Sequence, residues 1–219
     1  MIPRWLDRGG IPIHPMNKPR TGQIRVACVG DSITYGYGVE GWRKSNYPVV
    51  LNSLLGDGCC VNNFGFSGST ASDAGDCPYT AQRVYHQSLD FLPELVILML
   101  GTNDTKPQNW KGQAHYTESL RRILRTYQTL PSAPRILLLS PPPAWGVDGK
   151  PVAFEVRAEL LKDEVRAAVR LLAEEEGAIF IDTYDTFREH AQLFFDGVHP
   201  NAAGAKRLAE TVRSEGAHV

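Results

Sequence analysis

The sequence predicts an α/β chain: one parallel sheet with helices on both faces. Three observations predict it. Strand-like and helix-like segments alternate five times along the chain. The clearest strand run, Leu95-Val96-Ile97-Leu98-Met99-Leu100, is apolar at successive positions, as a strand buried on both faces must be. The length of 219 residues, with 42% apolar and 21% charged, fits an ordinary domain able to bury its own core.

Residues 1–23 are rich in Pro, Gly and Arg and read as an extended arm, with Trp5 as its candidate anchor on this chain or on a second copy. The domain proper is expected over 24–219. A buried strand over 24–29 stops at Gly30, and a short helix follows over 47–55. Residues 60–64 form a second strand. A helix over 81–91 is ended by Pro93. After the 95–100 strand, a helix over 113–130 aligns Tyr116, Leu120, Ile123, Leu124 and Tyr127 on one stripe. Residues 135–140 are the fourth strand. A long helix is expected over 153–176, its inner stripe Phe154, Ala158, Leu161, Val165, Ala168, Val169 and Leu172, with Gly177 as its cap. The fifth strand is 178–182 and the last helix 202–214.

Composition narrows the function. Lys and Arg number 23 against 24 Asp and Glu, so there is no basic excess for nucleic acid. The longest apolar run is far below the roughly 20 residues that span a bilayer. Charges within the first eight residues and no apolar stretch there predict no export signal, hence a cytoplasmic setting. Cys28 reads as a buried apolar residue, and Cys59, Cys60 and Cys77 lack zinc-ligand spacing.

Functional groups of such sheets collect beyond the carboxyl ends of the strands. Gly30-Asp31-Ser32 follows the first strand and places a serine before a helical turn; alone it reads equally as a helix cap. Asn63-Phe64-Gly65-Phe66-Ser67-Gly68 follows the second, where glycines let backbone N–H groups reach a ligand; alone it is a flexible loop. Gly101-Thr102-Asn103-Asp104 follows the third, with an amide able to face an oxyanion, or an ordinary Asx turn. Asp196 and His199, three residues apart in a late loop, can pair so that the carboxylate holds the imidazole in one tautomer. Together the four blocks supply a nucleophile, oxyanion donors, a base and its orienter, which is the parts list for acyl transfer.

These blocks, in this order, resemble the GDSL or SGNH hydrolase family: Gly30-Asp31-Ser32, Asn63-x-Gly65-x-Ser67-Gly68, Gly101-x-Asn103-Asp104 and Asp196-x-x-His199-Pro200. The resemblance spans the chain outside the arm. It implies a flavodoxin-like three-layer sandwich of five parallel strands in the order 2-1-3-4-5. It implies Ser32 as nucleophile, His199 as base and Asp196 as its orienter. The oxyanion hole would be the backbone N–H groups of Ser32 and Gly68 with the Asn103 amide, and no metal or organic cofactor is implied. The serine lies outside the G-x-S-x-G elbow of α/β-hydrolases. Asp31, Asp104, Asp196 and His199 have no ordered ligand spacing, which argues against a metal.

For the substrate, Asp31, Lys106, Asn109 and Trp110 are the candidate binding residues, although Asp31 also reads as a brace for backbone N–H groups and Trp110 as a packing residue. The loops 35–43 and 141–145 are further candidates for the pocket wall. No long apolar lid is visible, which argues against a lipase acting at an oil interface. The Lys106-Pro107-x-Asn109-Trp110 loop is similar to that of bacterial family members acting on acetylated carbohydrates. A short-chain ester of a carbohydrate, or another small molecule, is therefore the expected partner. A lysophospholipase or thioesterase with the same triad, an acyltransferase, and a non-catalytic carbohydrate-binding module are the alternatives; a homodimer through the arm is a further possibility.

Overall fold

Short-range preference and burial act together in β1 (Ile24–Gly30), whose residues alternate between two apolar layers. The computed structural model describes His14 and residues 16–216; Trp5 lies outside the described residues. After β1 come α1 (Ser32–Tyr35), α2 (Trp42–Ser45), α3 (Tyr47–Leu55) and β2 (Cys59–Gly65). Then come α4 (Arg83–Asp90), β3 (Leu95–Met99), α5 (Gln113–Gln128) and β4 (Arg135–Leu139). The chain closes with α6 (Ala158–Leu160), α7 (Arg166–Glu176), β5 (Ile179–Ile181), α8 (Thr183–Phe187) and α9 (Ala202–Glu215).

The strands form one parallel sheet in the order β2-β1-β3-β4-β5. Ala27, Val29, Val96, Leu98 and Leu138 face one layer, where α4, α5 and α7 contribute Val84, Leu120, Leu124, Val169 and Leu172. Val26, Cys28, Ile97, Met99 and Leu139 face the other, against Leu51 of α3 and Leu208 and Val212 of α9. The two faces of one strand thus bury two cores, as the apolar run of β3 predicts. The predicted stripe of α5 is buried at all five positions. No helix among the described residues is long and apolar enough to cross a membrane.

The described part of the arm covers the outer edge of β2. The Asn17 backbone N–H donates to Asn62 Oδ1 at 2.7 Å, and the Asn62 amide returns a bond to the Asn17 carbonyl at 3.0 Å. An edge strand covered in this way offers fewer open backbone groups.

One predicted element is corrected. The helix expected over 153–176 begins only at Ala158, passes through a π turn at Leu161–Val165, and continues as α7. Phe154 and Glu155 take left-handed backbone angles, φ +59° and +58°, which end any helical path through them. Phe154 therefore leaves the buried stripe and is 47% exposed.

Candidate active site

β1 delivers Ser32 to the carboxyl end of the sheet. Asp31 caps α1, its Oδ1 accepting the Ile33 N–H at 2.9 Å, so Ser32 is the first helical residue and its own N–H has no intrahelical acceptor. The turn is packed tightly against β2. A Cβ at Gly65 would overlap the backbone of Thr34 and Tyr35, so only glycine lets α1 approach the strand end. Asn63 ties the same junction, donating from Nδ2 to the Thr34 carbonyl at 2.8 Å and accepting the Gly65 N–H at 2.9 Å.

The late loop supplies the second half. His199 Nε2 lies 2.9 Å from Ser32 Oγ, and His199 Nδ1 lies 2.7 Å from Asp196 Oδ2. The other carboxylate oxygen, Oδ1, accepts the backbone N–H groups of Val198 at 3.0 Å and His199 at 2.7 Å. Burial pushes the Asp196 carboxyl upward, but these bonds and the adjacent imidazole outweigh it and hold the group below the usual carboxylate range. A charged Asp196 takes the Nδ1 proton as its hydrogen bond, which leaves Nε2 to accept from the serine hydroxyl. Ser32 and His199 are both buried.

The oxyanion candidates lie on neighbouring turns. Gly68 has φ +86°, and the loop carrying it starts beside β1, where the Phe66 N–H donates to the Gly30 carbonyl at 3.0 Å. The Asn103 amide donates to the Ser69 carbonyl at 3.1 Å, which ties it to the residue after Gly68. Asp104 braces this loop from below, accepting the Ala71 N–H at 3.0 Å and the Ser72 N–H at 2.8 Å. Burial drives the Asp104 carboxyl up to about 7 against the pull of those two donors. Burial likewise raises Asp31, opposed by the Ile33 N–H and the His199 imidazole.

Three of the four candidate substrate-binding residues bond or pack within the protein. Asp31 is 1% exposed and its carboxylate serves as the cap of α1. Asn109 is equally buried: its amide donates to the Asn103 carbonyl at 2.9 Å and to Asp76 Oδ1 at 3.0 Å, and its Oδ1 accepts the Asp76 N–H at 2.8 Å. Trp110 packs on the core, its ring 6.2 Å from that of Tyr116. Asp31 and Asn109 thus bond within the protein, and Trp110 lies half-buried against the core. Lys106 remains half-buried near Asp31, to whose charge it contributes a weak pull. Trp145, from the suspect 141–145 loop, packs tilted against Phe194 at 5.0 Å and donates its backbone N–H to the Gly197 carbonyl at 2.9 Å, so it braces the Asp196 loop.

Of the rings around the imidazole, Tyr37 lies in the 35–43 loop expected to line the pocket, and sequence reasoning missed Phe154 and Phe195. The rings of Tyr37, Phe154 and Phe195 lie 4.6, 5.2 and 6.1 Å from that of His199. Phe195 could have been found from its place beside Asp196. Phe154 could not, because its spacing matches a buried helical stripe.

An acetylxylan esterase of Xylanibacter ruminicola is 33% identical over 89% of this chain; the chain spans only 43% of that relative's length. An acetylxylan esterase of Geobacillus stearothermophilus is 28% identical, covering 87% of this chain and 93% of the relative. Among solved structures, a candidate arylesterase of Agrobacterium tumefaciens superposes with a TM-score of 0.70 at 27% identity, covering 88% of this chain and all of that one. The model of the GDSL-like lipase/acylhydrolase family matches residues 28–207, the stretch that holds the serine, the amide and the imidazole just described, and by that match the chain belongs to this family.

Proposed function

We propose that the chain hydrolyses short-chain O-acyl esters, above all acetyl groups on carbohydrates, through an acyl-enzyme on Ser32. The observation that carries this reading is the unbroken line of hydrogen bonds from Asp196 through His199 to Ser32 at the carboxyl ends of the strands. His199 Nε2 takes the hydroxyl proton as Oγ attacks the ester carbonyl. The carbonyl oxygen becomes an oxyanion facing the N–H groups of Ser32 and Gly68 and the Asn103 amide. The C–O bond to the alcohol then breaks, and the same proton passes from Nε2 to the leaving oxygen. Water, deprotonated by His199, attacks the acyl carbon and releases the acid, restoring the Ser32 hydroxyl. Residues 24–219 form the catalytic unit in this reading. The acetyl preference and the carbohydrate class are supported by the two relatives named acetylxylan esterase.

A series of p-nitrophenyl esters tests it, measured on the unaltered chain and on Ser32→Ala. The expected result is a kcat/KM that is highest for acetate and falls with acyl length, with Ser32→Ala lowering kcat by roughly 10^4-fold. Undiminished turnover by Ser32→Ala removes the serine from the chemistry, and a preference for octanoate moves the substrate to lipids or thioesters.

A further inference from the structure

We propose that Tyr37, Phe154 and Phe195 form the wall that receives the alcohol half of the ester, and that this wall fits the flat C–H face of a sugar ring. The inference rests on the ester-hydrolase reading above and assigns one half of its substrate to named side chains.

The direction follows from the chemistry. The leaving oxygen must come within hydrogen-bond reach of His199 Nε2 to receive its proton, so the alcohol passes across the imidazole. The carbonyl oxygen points instead toward the donors at Ser32, Gly68 and Asn103. The groups that touch the imidazole therefore meet the alcohol. Those groups are aromatic: Tyr37 is tilted against the His199 ring, Phe154 meets it edge-on at 80°, and Phe195 lies nearly parallel at 24°. Tyr37 and Phe154 also meet each other edge-on, at 6.3 Å, which joins two of the rings into one surface.

Three segments distant in the chain converge to make this wall, and two of them are specially shaped to do so. Phe154 sits in a left-handed conformation that a bulky residue rarely adopts, and that conformation turns its ring toward His199 instead of into the core. The Phe195 ring occupies the space that a Cβ on Gly38 would fill, so glycine in the loop after α1 is what lets the ring lie there. Phe154 and Phe195 are each 47% exposed. Single exposed rings are ordinary, but two flanking one buried imidazole form an apolar surface with a place for a ligand. A ring face of this kind suits the apolar face of a pyranose, whose hydroxyls then point away toward water.

The test compares two acetates that differ only in the alcohol: a monoacetylated methyl xyloside and ethyl acetate. The measured quantity is the ratio of their kcat/KM values, for the unaltered chain and for Phe154→Ala, Phe154→Leu and Phe195→Ala. The expected result is a ratio that falls about tenfold in each alanine variant, mainly through KM for the sugar ester, with partial recovery in Phe154→Leu. A ratio that stays within about twofold of the unaltered chain overturns the proposal, whatever the absolute rates. So does a change confined to the preference between ethyl acetate and ethyl butyrate, which would place the wall on the acyl side. If Phe154→Ala does not fold, Phe154→Leu and Phe195→Ala read the same ratio. Failure of the underlying reading looks different: the unaltered chain turns over neither acetate, or Ser32→Ala keeps its turnover. Ester turnover with an unchanged ratio removes the wall alone.

Discussion

Asn103 carries two amide protons, and the Ser69 carbonyl engages one of them. In the proposed mechanism the second faces the oxyanion, so Asn103→Ala removes a donor while also loosening the Gly68 loop. A fall in kcat of roughly 100-fold is expected, with a smaller change in KM, read from steady-state kinetics. A twofold loss would make Asn103 a turn residue and nothing more. The imidazole sets the acid limb. Only neutral His199 can take the Ser32 proton, and Asp196, held below the usual carboxylate range, stays charged as the pH is lowered. Acid should therefore lower activity without discharging Asp196, and a flat kcat/KM profile from about pH 5 to 9 would contradict the assignment of His199 as base.

At the scale of elements, the junction between α1 and β2 is the least forgiving. An added Cβ at Gly65 meets backbone atoms of Thr34 and Tyr35, which cannot rotate aside as a side chain can. Gly65→Ala should cost about 2–3 kcal/mol and lower Tm by roughly 5–10 °C, measured by thermal melting, because α1 must move off the strand end. Ser32 moves with it, so the proposed activity should fall further than stability. The elements themselves were largely legible in the sequence. Strand runs such as 95–100 carry their burial in composition, and the α5 stripe carries it in spacing. The start of the fourth connecting helix was not legible. Phe154 fits the apolar period of that helix, and nothing local announces the left-handed pair at Phe154 and Glu155. Such a pair costs about 1–2 kcal/mol per residue and is held by tertiary context, which residue spacing does not report.

For the whole molecule, buried carboxyls link stability to pH. Asp104, raised to about 7 by burial, holds its proton in the folded chain between about pH 4, where an unfolded aspartate loses it, and pH 7. The folded state binds more protons than the unfolded one across that window, so stability is greatest below it and declines as pH rises through 7. Urea midpoints should fall from pH 5 to pH 8, and Asp104→Asn should flatten that decline even though it weakens the protein overall. An unchanged slope in the variant would assign the effect elsewhere. The meeting of Ser32 and His199 was legible at this scale because strand ends in a parallel sheet share one side, which brings the two together across 167 residues. The surroundings of Asp31, Asn109 and Trp110 were not legible: they lie at the same rim, but a rim position does not say whether a side chain points outward or closes a contact within the protein.

Asp196 and His199 arrive on one short loop, clamped at its base by the pairing of Phe194 with Pro200 and at its tip by the Trp145 bond to Gly197. Any breathing of that clamp carries the carboxylate and the imidazole as a unit. The link between Asp196 and His199 is thus local to one loop, while the link to Ser32 alone joins two distant segments of the chain.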